Sequence, residues 1–185
     1  MKLSTLLLPL AACCLWTASA QVPIPVANPT FGDDELFCDG CYYPAITGWA
    51  VGPNSGVQKS STATFPGGLP GGSVNFAYVG NANSTGSITQ VLNATLQANH
   101  TYTLRMSVGQ QLGIALTGYV AALIANGVTL AFDSSLKPAS GTFLEETIVY
   151  SSGPNPPQLG SHLVIFIKSF GNGQVDIDNV SLTVQ

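Results

Sequence analysis

Apolar residues along this chain recur at every second position or in short runs, and hardly any stretch keeps the 3.6-residue spacing of an amphipathic helix. Residues 101–108 alternate cleanly, with Tyr102, Leu104, Met106 and Val108 on one face. Such a strand covers a core on one side and meets water on the other. Residues 87–96 read as the strand before it, with a turn at Gln97-Ala98-Asn99-His100. Residues 119–125 are apolar on both faces, and Asn126-Gly127 turns the chain into a partner strand at 128–132. Residues 142–150 and 162–169 add further strands, and Gly153 to Pro157 is a loop. In the last strand Val175 and Ile177 share one phase, whereas Val180, Leu182 and Val184 share the other. A β-bulge at Asp178-Asn179 accounts for this slip, because one extra residue re-aims every side chain after it. Short strands separated by Gly, Pro and Asn predict an all-β antiparallel β-sandwich, a jelly roll.

Composition narrows the function classes. Charged residues make up 8% of the chain, against about 25% in an average soluble protein. Five Lys and Arg against nine Asp and Glu give a net charge of −4. No basic stripe is available for nucleic acid or for an anionic membrane surface. The first residues read as a leader: Met1-Lys2, an apolar run to Trp16, then Ala18-Ser19-Ala20 ahead of a cleavage point before Gln21. A signal peptide over 1–20 and a single secreted domain over 21–185 follow. The alternative, a lipoprotein box at Leu10-Ala11-Ala12-Cys13, would anchor the chain through Cys13.

Several motifs then resemble a known family. Asn28-Pro29-Thr30-Phe31 is similar to the opening of the CenC-type carbohydrate-binding modules, and Gly48-Trp49 to their Gly-Trp step. The segment from Ile88 to Leu104, with Gln90, Leu92, Leu96, Tyr102 and Leu104, resembles their hairpin. Asp176-Ile177-Asp178-Asn179-Val180-Ser181-Leu182 resembles their closing strand. The resemblance implies a galactose-binding-domain-like jelly roll. It also implies a structural calcium between the opening segment and the last strand, which points to Asp33, Asp34 and Asp178. The family's acidic residue after the opening Phe is replaced here by Gly32, and the insert from Asp39 to Tyr43 lies outside the common pattern.

Trp49 is read as a core residue. Tyr42 and Tyr43 stand side by side in a polar loop, so at least one should offer a flat face to a ligand; Phe76, Tyr78 and Tyr119 are further ligand-binding candidates. Cys38 and Cys41 lack a second Cys-x-x-Cys, and His100 and His162 are distant in sequence, so a disulfide is expected rather than zinc. Glu145 and Glu146 are adjacent on a strand and point to opposite faces, which is wrong for a facing glycosidase pair. No nucleophile elbow or phosphate loop is present. Asn83, Asn93, Asn99 and Asn179 open N-glycosylation sequons. The expectation from the sequence is therefore a secreted, non-catalytic module that binds a carbohydrate, with structural Ca²⁺. The alternative is an extracellular structural or adhesive protein.

Overall fold

The computed structural model describes residues 20–185, and the expected leader and Cys13 anchor fall on residues 1–19, outside the described region. Strands dominate in the order β1 (Val22–Ile24), β2 (Tyr42–Tyr43), β3 (Ala50–Val51), β4 (Ser55–Lys59), β5 (Asn75–Gly80), β6 (Ser87–Thr95), β7 (Thr101–Gln110), β8 (Tyr119–Ala125), β9 (Val128–Asp133), β10 (Thr142–Ser151), β11 (His162–Ser169) and β12 (Gln174–Val184). A short 3₁₀ turn at Pro70–Gly72 interrupts the loop between β4 and β5. Seven strands form one antiparallel sheet, ordered β10-β7-β12-β5-β4-β2 with β1 also beside β12. Five form the other, ordered β3-β6-β11-β8-β9. The all-β sandwich read from the alternation is the fold observed.

The core lies between the sheets. Val57, Ala77, Val79, Val108, Val175 and Ile177 enter it from the larger sheet, and Ile88, Ala121, Leu123, Ile165 and Ile167 from the smaller. The slip near the C-terminus is a bulge: Asp178 pairs with Ser107 and Ser181 with Arg105, so three steps on β12 match two on β7. Asn179 takes a positive φ of 51° there, and Val180 and Leu182 return to the core. Asn126 and Gly127 both have positive φ, the conformation a tight hairpin turn between β8 and β9 requires.

The residues that resembled carbohydrate modules fix the opening segment. Gln90 on β6 donates to the carbonyls of Ala27 (2.9 Å) and Gly48 (3.1 Å) and accepts from the Ala27 amide (2.9 Å). Trp49 Nε1 donates to the Ala27 carbonyl at 3.0 Å, and its ring packs 5.7 Å from that of Phe31. Phe31, Trp49 and Gln90 are buried. Each of these contacts serves packing and backbone satisfaction.

Candidate functional site

Side chains on a strand alternate between faces. With Val57, Ala77, Val79, Val175 and Ile177 in the core, the outer face of the seven-stranded sheet receives Gly56, Gln58, Phe76, Tyr78, Gln174, Asp176 and Asp178. The middle of this face is dry. Phe65, from the loop between β4 and β5, lies with its ring 5.1 Å from Phe76 and 4.5 Å from Phe143. The loop is tied down by the Leu112 amide, which donates to the Thr64 carbonyl at 3.0 Å. Gly109 makes room for this cluster, since a Cβ there would sit 2.4 Å from the Phe143 ring.

The same face carries a cavity of about 500 Å³, walled by Tyr42, Tyr78, Gln58, Gln111, Ile114 and Gln174 together with Pro44, Asn54, Ser55 and Asn81. Tyr42 and Tyr78 meet edge to face with ring centroids 6.0 Å apart. Burial, followed by the neighbouring Tyr42, raises the Tyr78 hydroxyl above its ordinary pKa. Gly56 keeps this wall open: a Cβ there would stand 2.8 Å from the Tyr78 hydroxyl and 2.0 Å from the Tyr43 carbonyl. A second cavity, of about 600 Å³, lies among residues 53–54, 83–87, Lys168, Gly171 and Asn172. Its walls hold no carboxyl and no aromatic ring, so it offers less chemistry.

Behind the wall of the first cavity sits Asp176, fully buried and paired in register with Tyr78 on one side and Gly109 on the other. Its Oδ1 accepts from Gln174 Nε2 at 2.6 Å and its Oδ2 from the Gln111 amide at 2.8 Å. Both partners are residues of the cavity wall. Burial pushes the Asp176 carboxyl up to about 7, and the two donors only partly oppose the rise. Asp178, two residues on and on the same face, is also buried and pushed up to about 7 by desolvation, despite bonds from the Asn179 amide and Ser73. The buried groups here are neutral near pH 7 far more often than surface carboxylates are, which is the condition for a carboxyl to act as a proton donor.

The residues expected from sequence to bind ligand separate. Tyr42 and Tyr78 line the cavity. Tyr43 is exposed on β2 but is not part of that wall. Phe76 is buried beneath Phe65 and offers no free face. Tyr119 is buried as well; its hydroxyl donates to Glu146 Oε2 at 2.5 Å and accepts from the Leu136 amide at 3.3 Å. Glu145 and Glu146 do point to opposite sides, Glu145 outward to Arg105 and Glu146 inward to Tyr119. Cys38 and Cys41 are bonded, with Cα atoms 5.4 Å apart.

The acids named for calcium are not gathered. Among the described residues no three Asp, Glu, His or Cys side chains form a group able to hold a metal ion. The Asp34 carboxylate is occupied by Thr47 (amide at 3.1 Å, hydroxyl at 2.8 Å) and by Asn28 Nδ2 at 2.9 Å. Asp33 is exposed, and its amide donates to Asn28 Oδ1 at 3.1 Å. Sequence reasoning missed Asp176, Gln174 and Gln111. A signal existed for two of them: Gln174, Asp176 and Asp178 alternate with Val175 and Ile177, which puts three polar side chains on one face of a strand.

A family model described as HpiC1-like, HpiC1 cyclase, matches residues 22–183. Among solved structures, a Stig cyclase, Fisc, from Fischerella sp. TAU in complex with (3Z)-3-(1-methyl-2-pyrrolidinylidene)-3H-indole is 27% identical, with a TM-score of 0.79 over 90% of this chain and 98% of that one. A cyclase from Fischerella sp. TAU in complex with 4-(1H-indol-3-yl)butan-2-one is also 27% identical, with a TM-score of 0.77 over 89% of this chain and 98% of that one. A CBM22-1 xylan-binding domain from Paenibacillus barcinonensis reaches a TM-score of 0.55 at 14% identity over 91% of this chain and 97% of that one, which is likeness of fold alone. No curated protein matches the chain. These findings correct the reading from sequence. The resemblance to CenC-type modules gives way to a cyclase family, and with it go the non-catalytic assignment, the carbohydrate partner and the adhesive alternative. A structural calcium, read from the carbohydrate-module resemblance, loses that support too.

Proposed function

The chain belongs to the HpiC1-like cyclase family, and from that premise we propose that it closes a ring on a small aromatic substrate held against Tyr42 and Tyr78, with Asp176 as the proton donor. The observation that carries this reading is a fully buried carboxyl, raised to about 7, held by two residues of an aromatic-walled cavity. Two of the solved cyclases that resemble the chain hold indole compounds, and a cavity of about 500 Å³ falls within the usual range for sites of small ligands.

The chemistry balances without a redox partner. Protonated Asp176 gives its proton to an unsaturated carbon of the substrate. The electron pair of a neighbouring π-bond then forms the new carbon–carbon bond. Loss of a proton from the resulting cation, back to the Asp176 carboxylate, restores neutrality and leaves an isomer of the starting material. Tyr42 and Tyr78 contribute electron-rich faces and edges that favour positive charge developing beside them. Near pH 7 both protonation states of Asp176 are populated, so one group serves as acid and then base.

The reading is tested by incubating the protein with indoles that carry an unsaturated side chain and looking for a ring-closed product of unchanged mass. Wild-type protein should form it, and Asp176→Asn should bind the same compounds but turn them over about 10²–10⁴-fold more slowly. Equal turnover by the two proteins would remove Asp176 from the reaction. We also place the activity outside the cytosol, a reading supported by the leader-like first twenty residues and the Cys38–Cys41 bond. A fusion reporter detected only inside cells would contradict that placement.

A further inference from the structure

Buried polar atoms in folded proteins nearly always have partners, and an exception asks for an explanation. Among the described residues two buried side-chain atoms lack one, Asp178 Oδ2 and Gln111 Oε1. Asp178 is not part of the cavity wall, whereas Gln111 is. The other amide side chains of that wall spend their nitrogens on the protein, and none of their oxygens is both buried and unpaired. Gln174 Nε2 donates to Asp176, Gln58 Nε2 to the Gly40 carbonyl at 3.3 Å, Asn81 Nδ2 to Asn54 Oδ1 at 3.2 Å, and Asn54 Nδ2 to the Thr85 carbonyl at 3.2 Å. Gln111 is 6% exposed, and its backbone is fixed by the 2.8 Å bond from its amide to Asp176. Its side chain therefore starts from an anchored point next to the proposed acid, with an acceptor that the folded chain leaves unsatisfied.

We propose that Gln111 is a specificity-determining residue of the site, whose side-chain oxygen accepts the ring N–H of a heteroaromatic substrate and so sets which edge of the ring faces Asp176. This rests on the reading of the Tyr42–Tyr78 cavity as the cyclase site. The terminal amide turns about its last torsion, a broad and soft one, to present the oxygen to the bound ring. A ligand lacking the N–H leaves that oxygen unpaired, which is the arrangement by which polar sites reject an isostere.

The test uses 4-(1H-indol-3-yl)butan-2-one and its benzofuran counterpart, in which ring oxygen replaces N–H with little change of shape, titrated calorimetrically into the full chain. Wild-type protein should bind the indole about tenfold more tightly, the ratio that one satisfied hydrogen bond of about 1.4 kcal/mol gives. Gln111→Leu should bind the two equally, and Gln111→Glu, which keeps an acceptor, should retain the preference. Gln111→Leu should also melt no lower than wild type, because it removes an unpaired buried group. Equal binding of both compounds by wild type, or an unchanged preference in Gln111→Leu, would overturn the role of Gln111 and leave the cavity reading standing. Failure of wild type to bind either compound would overturn the cavity reading and this inference together.

Discussion

Asp176 illustrates how one side chain changes meaning with its surroundings. In water a carboxyl loses its proton near pH 4; buried behind the cavity wall it holds the proton to about 7. Between those values the folded chain carries a proton that the unfolded chain has released, so the contribution of Asp176 to stability is greatest below about pH 4 and is lost as pH rises through 7. Asp178 acts in the same direction. Thermal melts from pH 5 to pH 8 should therefore show a falling melting temperature, and Asp176→Asn with Asp178→Asn should flatten the slope. A melting temperature that rises across that range would show that the two groups ionise normally. Gly56 is a second residue whose role is defined by space. Gly56→Ala places a methyl group against the Tyr43 carbonyl and the Tyr78 hydroxyl, and should cost about 1–3 kcal/mol in denaturant unfolding through overpacking. Neither residue is visible as functional in the sequence, because burial under a loop and approach of a distant hydroxyl are properties of the fold. The exposure of Tyr42 was legible, since a tyrosine pair in a polar loop has few ways to hide. The burial of Phe76 and Tyr119 was not, because the residue order does not say that a loop covers one and the opposite sheet the other.

At the scale of elements, the bulge in β12 was written in the residue order. Val175 and Ile177 fall out of phase with Val180 and Leu182, and only an inserted residue reconciles them with one core. The two-residue strands β2 and β3 carry no such pattern, since each pairs over only two residues, with β4 and β6 respectively. The loop between β4 and β5 was unreadable for a different reason. Its Pro and Gly content marks it as a loop, but the Phe65 ring and the bond from the Leu112 amide to the Thr64 carbonyl decide that it lies across the sheet. Phe65→Ala should lower stability by about 3–5 kcal/mol, measured by urea unfolding, through the cavity left between Phe76 and Phe143. A loss below about 1 kcal/mol would mean that the loop is held by its backbone contacts rather than by the ring.

At the scale of the molecule, the sandwich and the activity are specified by different residues. Phe31, Trp49 and Gln90 tie the opening segment to β6, and these are among the residues that resembled carbohydrate modules. Residues that secure a shared jelly roll carry no information about what the outer face binds, which is why the resemblance led to the right fold and the wrong activity. The two sheets are also joined through a buried polar contact, Tyr119 on β8 to Glu146 on β10. Tyr119→Phe strips Glu146 of that partner and should cost about 1–3 kcal/mol of stability while leaving kcat within about twofold, since neither residue lines the cavity.

In the proposed reaction a protonated Asp176 starts ring closure. The pH dependence of kcat/KM for a cyclising indole tests it most directly. The rate should fall about tenfold per pH step above about 7 in the wild type, and Asp176→Asn should show only a low residual rate without that descent. A rate that stays level up to pH 9, or an Asp176→Asn protein as active as the wild type, would contradict the account.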